Sequence, residues 1–281
     1  LGRYYRLPYP LTIYPGPTSF LFEVGLCVAL YLTVLAIEFS PAVWETLRWK
    51  KMRHYAHSLT LLLTIFGVIL STLHQSSLGG LYLIAPSKLH PLWYSPYLAL
   101  FFFVSSIPAG LSMVIFEGGL SHKFLHHKMD ETHIEEAPGV TLGFAKAAAV
   151  VLFGYFNLKW IGVAMDDNWH HLATGWGAWF LVEVIGFVLV PCLMYAVAAR
   201  EKNQKLAFWA SIVTVLGIVL NRLNISLVAF NWQLPSEFRY VPAWEEIMIT
   251  VFIVTLEITV LRFCLCKLPI LHEHPEFKEA H

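Results

Sequence analysis

The chain has 281 residues, of which 57% are hydrophobic and 14% charged, and its 19 basic and 19 acidic side chains cancel to a formal net charge of zero. Soluble domains carry roughly 25% charged residues, so this composition, with a mean hydropathy of +0.60, points into a membrane. A neutral chain without a basic run gives no support to nucleic-acid binding. Its four cysteines, Cys27, Cys192, Cys264 and Cys266, form neither a CxxC nor a CxxCH spacing and read as buried, inert thiols.

A helix needs about 20 apolar residues to cross a bilayer. Seven stretches qualify: 18–39, 55–77, 96–117, 141–162, 176–199, 205–227 and 244–266. Turn-forming residues separate them, among them Ser40-Pro41, Pro91, Pro138-Gly139 and Pro235. The expected fold is therefore all-α, a polytopic transmembrane bundle of about seven helices in one membrane domain.

The first stretch carries Glu23 in an otherwise uncharged run and Glu38 at its far end. An ionised group in hydrocarbon costs about 2.5–3.5 kcal/mol or more. Glu23 thus reads as an inward-facing protonatable group, and Glu38 as a solvated interfacial one. The second stretch places His57, Thr60, Thr64, Gly67, Ser71 and His74 at 3-4-3-4-3 spacing, on one helical face. At roughly 1.5 Å per residue, His57 and His74 are about 25 Å apart. Such a stripe can pass protons, or it can simply pack against another helix. Gln75, Ser76 and Ser77 follow His74 and make that end a polar cluster.

Glu117 in the third stretch and Lys146 in the fourth sit at helix ends, where snorkelling accounts for them. Glu183 interrupts the fifth stretch and Glu257 the seventh, with Glu246 and Thr250 above the latter. In the sixth, Ser211, Thr214, Gly217, Asn221 and Asn224 share a face, with Arg222 beside its end. Each suits either interhelical hydrogen bonding or chemistry. His122, His126, His127 and His133, and the pair His170-His171, lack a compact ligand spacing, so no metal site is expected.

Thirteen Lys and Arg fall on one side of these stretches and six on the other, Lys159 and Arg222 among the six. The positive-inside rule then places the C-terminus, with its 268–281 tail, in the cytoplasm. Loops 79–95, 163–175 and 229–243 face outward. Their Trp93, Tyr94, Trp232 and Tyr240 are residue types suited to docking a partner.

The run from Leu73-His74-Gln75-Ser76-Ser77-Leu78-Gly79-Gly80 to Ala85-Pro86 continues into Lys88-Leu89-His90-Pro91-Leu92-Trp93-Tyr94. With Phe20-Leu21-Phe22-Glu23-Val24, Glu38-Phe39-Ser40-Pro41 and Asn221-Arg222-Leu223-Asn224, it resembles the NrfD/polysulfide-reductase membrane-subunit family. The likeness spans essentially the whole chain and is greatest to the HybB/DsrP branch.

The resemblance implies a quinone- or quinol-reactive subunit of a respiratory redox complex in a bacterial or archaeal cytoplasmic membrane. Menaquinone or ubiquinone would be its substrate, and the chain itself would bind no haem or iron–sulfur cluster. Its implied partners are a ferredoxin-like iron–sulfur subunit on the outer face and a further redox subunit (hydrogenase, molybdoenzyme or multihaem cytochrome c). The branch has about ten helices, and Leu1-Gly2-Arg3 matches a motif inside it, which implies roughly three helices ahead of this sequence. By resemblance Glu23 matches an intramembrane glutamate implicated in proton transfer, and His74 lies near the quinone end.

The candidate site follows. His74 and Gln75 would donate to the quinone carbonyls, with Ser71, Asn221 and Arg222 beside them. Glu23, His57, Thr60, Thr64, Glu183 and Glu257 would carry protons. Glu23 and His74 are the catalytic candidates. Two other readings stay open: a membrane cytochrome b holding haem through intramembrane histidine, and an ion or proton transporter.

Overall fold

The structure, a computed structural model, describes residues 8–124 and 131–267. Leu1-Gly2-Arg3, His126, His127 and the 268–281 tail lie outside the described residues, as do the side chains of His133 and Cys266. Among the described residues there is no β-strand, only an isolated antiparallel bridge between Leu89 and Phe230. Seven helices are long and apolar enough to cross a membrane, one in each expected stretch. They are α1 (Phe20–Thr46), α2 (Lys50–Leu81), α3 (Leu98–Phe124), α4 (Glu131–Met165), α5 (Gly175–Glu201), α6 (Gln204–Leu223) and α7 (Trp244–Lys267).

Several helices run past the ends of the apolar stretches. Pro41 and Pro138, expected to mark breaks, lie inside α1 and α4. A proline leaves the carbonyl four residues back without its N–H partner. At Pro41 that carbonyl belongs to Ile37, and Ser40 Oγ donates to it at 2.7 Å. The neighbouring hydroxyl thus replaces the missing donor and the helix continues to Thr46. The chain then turns through Arg48, whose φ of 58° is left-handed, and enters α2.

The described chain gathers into two units. The first holds residues 8–26, 72–124 and 131–239. Here α3, α4, α5 and α6 form a closed ring, each helix packed on its sequence neighbour and α6 closing against α3. Lys202 and Asn203 alone connect α5 to α6. Lys202 ends α5 with a left-handed φ of 53°, and Asn203 Oδ1 caps α6 by accepting from Leu206 N at 3.1 Å.

Residues at helical spacing line the ring's core, many of them small or polar among the apolar ones. On α4 these are Ala145, Ala148, Leu152, Tyr155 and Lys159; on α6 they are Ser211, Thr214, Gly217 and Asn221, with Asn224 just past its end. Ser105 and Ser112 face them from α3, and Tyr195 donates to Ser112 Oγ at 2.7 Å. Small residues let helix backbones approach closely in a membrane. Gly217 shows how closely: a Cβ there would stand 2.8 Å from the carbonyl oxygen of Phe187 on α5. Gly79 plays the same part at the end of α2, where a Cβ would meet Leu98 O at 2.8 Å.

The second unit holds residues 27–71 and 240–267. Two of its polar contacts join α2 to α1. Thr64 donates to Glu38 Oε1 at 2.8 Å, and Arg53 pairs with Glu45 at 3.2 Å. A Cβ on Gly67 would lie 3.7 Å from Val34. The middle of the polar stripe on α2 thus makes helix contacts to α1. At the start of α7, Glu246 accepts from the Tyr240 hydroxyl and from Ala243 N, the latter at 3.1 Å. Glu246 therefore serves as an N-terminal cap of α7.

Candidate functional site

The four-helix unit buries a charged centre. Glu183 stands on α5 where residues Val182–Leu189 widen into a π-helical segment, a local irregularity frequent at functional positions. Its side chain is almost wholly enclosed, the residue being 1% exposed. Oε2 accepts from Trp93 Nε1 at 2.8 Å and from Asn224 Nδ2 at 2.5 Å. Oε1 accepts from Asn221 Nδ2 at 2.6 Å and lies 3.6 Å from Lys159 Nζ.

Both amides are oriented by groups that can only donate. Arg222 donates to Asn221 Oδ1 at 2.9 Å, and Trp179 Nε1 donates to Asn224 Oδ1 at 3.0 Å. Each amide therefore turns its NH2 toward Glu183. A carboxylate buried at this depth needs such partners, because removing an ion from water costs several kcal/mol.

Arg222 builds a second corner. One terminal nitrogen donates to Ser105 Oγ at 2.9 Å, to Phe102 O at 3.3 Å and to Gln75 Oε1 at 3.4 Å. The guanidinium carbon lies 3.6 Å from the centroid of the Phe102 ring, a cation–π contact. An unbroken chain of side-chain hydrogen bonds thus runs Trp179, Asn224, Glu183, Asn221, Arg222, Gln75. Trp179, with Gly175, Trp176 and Val228, also lines an open cavity of about 470 Å³.

Above the centre, the loops at 85–97 and 229–239 form a rim. His90 N donates to Ala229 O at 3.0 Å, and Asn231 N donates to Lys88 O at 2.7 Å. The His90 ring is buried between Trp93, Trp176, His171 and Trp232, with centroids 4.7–5.5 Å away. Burial, and then the neighbouring His171, push its pKa down from 6.5 to about 4. Trp232 Nε1 is buried without a hydrogen-bond partner. Trp93, read from sequence as a docking residue, is buried here, because its indole N–H is turned inward onto Glu183. It is a structural link between rim and centre.

The structure brings together Gln75, Asn221, Arg222 and Glu183 from the residues singled out by sequence. His74 adjoins Gln75 on α2, and its Nδ1 is buried without a hydrogen-bond partner. The other candidates are bonded within their own unit or exposed. Ser71 Oγ donates to Val68 O and Thr60 Oγ1 to Ala56 O, within their own helix. Thr64 is bonded to Glu38. Glu23, in the first turn of α1, and Glu257, on α7, are exposed in their respective units, as is His57. Sequence reading missed Trp93, Ser105, Tyr155, Lys159 and Trp179. Lys159 was placed with the cations beyond the membrane, yet it is 3% exposed in the core. The signal was present: it continues the spacing of Ala145, Ala148, Leu152 and Tyr155.

The sequence profile of the family described as "Polysulphide reductase, NrfD" matches residues 1–231. The chain belongs to the NrfD family. Three relatives can be compared with it. A protein of Nitratidesulfovibrio vulgaris strain Hildenborough is 63% identical over the whole of this chain and 72% of its own length. The "probable Ni/Fe-hydrogenase 2 b-type cytochrome subunit" of Escherichia coli K12 is 33% identical over 96% of this chain and 68% of its own length. The "menaquinone reductase, integral membrane subunit" of N. vulgaris is 28% identical over 92% of this chain and 66% of its own length. No solved structure matches. This NrfD-family chain is thus a multi-pass integral membrane protein and a membrane subunit of a respiratory redox complex.

Proposed function

We propose that this chain exchanges electrons with a membrane quinone, menaquinone or ubiquinone. The observation that supports this most is the corner of Gln75, Ser105, Asn221 and Arg222 beside His74, in a family with a member named menaquinone reductase. A quinone gains negative charge on its oxygens as it is reduced. A fixed guanidinium stabilises that charge as it develops, and Gln75 and His74 can hydrogen-bond a ring carbonyl. Quinol oxidation releases two electrons and two protons. Electrons would pass to a ferredoxin-like iron–sulfur subunit, and on to a hydrogenase, molybdoenzyme or multihaem cytochrome. The docking face would be the loops at 79–95, 163–175 and 229–243, where Ile84, Trp169, Leu234 and Phe238 are exposed. Protons would use Glu23, His57, Thr60, Thr64, Glu183 and Glu257. The rim would face outward and the C-terminus the cytoplasm of a bacterial or archaeal cell.

The test is quinol oxidation by the purified complex carrying His74→Ala. The reading expects turnover to fall with assembly intact; unchanged quinol kinetics would remove His74 from the site. The E. coli relative's name keeps the haem reading in play. A Soret band belonging to this chain would favour it over a cofactor-free subunit.

A further inference from the structure

We propose that the open cavity at the rim end of α5 and α6 is a site for one anionic phospholipid, with an acyl chain against Trp176, Trp179 and Val228 and the headgroup phosphate on Arg239. The inference is independent of the quinone reading, because Trp176, Val228 and Arg239 belong to neither the headgroup corner nor the proton path already named.

Three observations carry it. The first is where the cavity lies. Of its lining residues, Gly175 opens the membrane span Gly175–Glu201 and Val228 closes the span Gln204–Val228. The ends of two neighbouring spans mark the level at which hydrocarbon gives way to lipid headgroups, where tryptophan is also at home. The cavity's volume of about 470 Å³ falls within the roughly 300–1,000 Å³ of ligand pockets.

The second is the lining. Gly175, Trp176, Trp179 and Val228 bring no charge, and Trp179 already gives its N–H to Asn224 Oδ1 at 3.0 Å. Two indole rings and a valine offer dispersion contacts to a flexible hydrocarbon chain, which asks for no hydrogen bond in return.

The third is a fixed cation against one of the cavity's walls. Arg239 Cζ lies 5.3 Å from the centroid of the Trp176 ring. Its Nε donates to Leu234 O at 2.9 Å and its Nη2 to Trp232 O at 2.7 Å, so the rim loop holds the guanidinium in place. Nη1 makes no hydrogen bond, and no carboxylate among the described residues pairs with this arginine. A guanidinium meets a phosphate through charge-assisted hydrogen bonds. A phosphate tethered to an acyl chain can engage the cation and the apolar wall together. A zwitterionic phospholipid carries its own cation, so the anionic class gains most.

The test titrates the delipidated, purified complex in detergent with phosphatidylglycerol and, separately, with phosphatidylcholine, reading bound lipid by native mass spectrometry. At the tightest site the wild type should prefer phosphatidylglycerol about tenfold or more, as one charge-assisted contact supplies. Arg239→Gln should lose that preference. Val228→Phe, which fills the cavity and leaves the cation alone, should weaken the binding of both lipids. If Arg239→Gln fails to assemble, the wild-type preference and Val228→Phe decide together. Equal wild-type affinity for the two lipids, an intact preference in Arg239→Gln, or unchanged binding in Val228→Phe would overturn the proposal. So would displacement of the lipid by menaquinone or by inorganic phosphate, which would give the cavity or the cation to another occupant.

Discussion

The two units of this chain connect their polar residues to different extents. In the four-helix unit, Glu183, Lys159, Asn221 and Asn224 are enclosed and bonded across helices, and residues as distant in sequence as Trp93 and Glu183 meet. In the unit built from residues 27–71 and 240–267, the polar groups pair singly, as Thr64 does with Glu38 between α2 and α1, bond within their own segment, as Ser40 does to Ile37 O, or stand exposed, as Glu257 does. An intramembrane carboxylate is thus not one kind of object. Enclosed with its donors, it is tied to a network whose parts depend on one another. On an open helix face, its replacement disturbs little.

The sharpest way to break this comparison is to remove the carboxylate in each unit. Glu183→Ala leaves Lys159 without a counter-charge and three donors without an acceptor. Truncating one partner of a buried ion pair costs about 3–5 kcal/mol. The thermal midpoint and assembly yield of the complex should fall accordingly, whereas Glu257→Ala should shift stability within about 0.5 kcal/mol. Equal effects would dissolve the distinction.

A smaller effect tests the link between rim and centre. Trp93→Phe keeps an aromatic ring among His90, Trp176 and Phe180 but removes the N–H given to Glu183. Losing one partner of a buried hydrogen bond costs about 1–3 kcal/mol. Thermal denaturation should register that loss, and a variant as stable as wild type would mean that the bond contributes nothing.

The rim should also respond to acid. His90 is held neutral in the folded state, with its pKa lowered from 6.5 to about 4. The stability it contributes is complete above pH 6.5 and is lost as pH falls from there toward 4. Tryptophan fluorescence should change as pH falls through about 4, where the folded ring takes up its proton, since Trp93, Trp176 and Trp232 surround it, and the change should be absent in His90→Phe. Smallest of all, Thr64→Val removes one hydrogen bond to Glu38 in the second unit. It should cost about 0.6 kcal/mol, the average for interhelical bonds in a membrane, as read from the same thermal midpoint.

Much of this was legible in the sequence. Seven apolar stretches gave seven helices because the span length is set by the bilayer. The buried face of α6 was visible in the spacing of Ser211, Thr214, Gly217, Asn221 and Asn224. The Leu-His-Gln-Ser-Ser-Leu-Gly run identified the family. Helix ends were less legible, because a serine hydroxyl rescued the carbonyl before Pro41 and no local rule demands that. The centre itself was hidden. Trp93 reads as an interfacial aromatic until its N–H is seen to reach Glu183, 90 residues away. Lys159 reads as a cation near a helix end until α4 is seen to run on to Met165.

The most direct test of the quinone reading is the quinol kinetics of Gln75→Leu and Arg222→Lys in the assembled complex. Leucine removes the acceptor of an Arg222 bond and the amide that would meet a carbonyl. Lysine keeps the charge but loses the planar fork that reaches Ser105, Asn221 and Gln75 together. The account predicts that both variants assemble and that kcat/KM for quinol falls about tenfold or more, as losing about 1.4 kcal/mol of transition-state stabilisation requires. Both variants oxidising quinol with wild-type kcat/KM would contradict it.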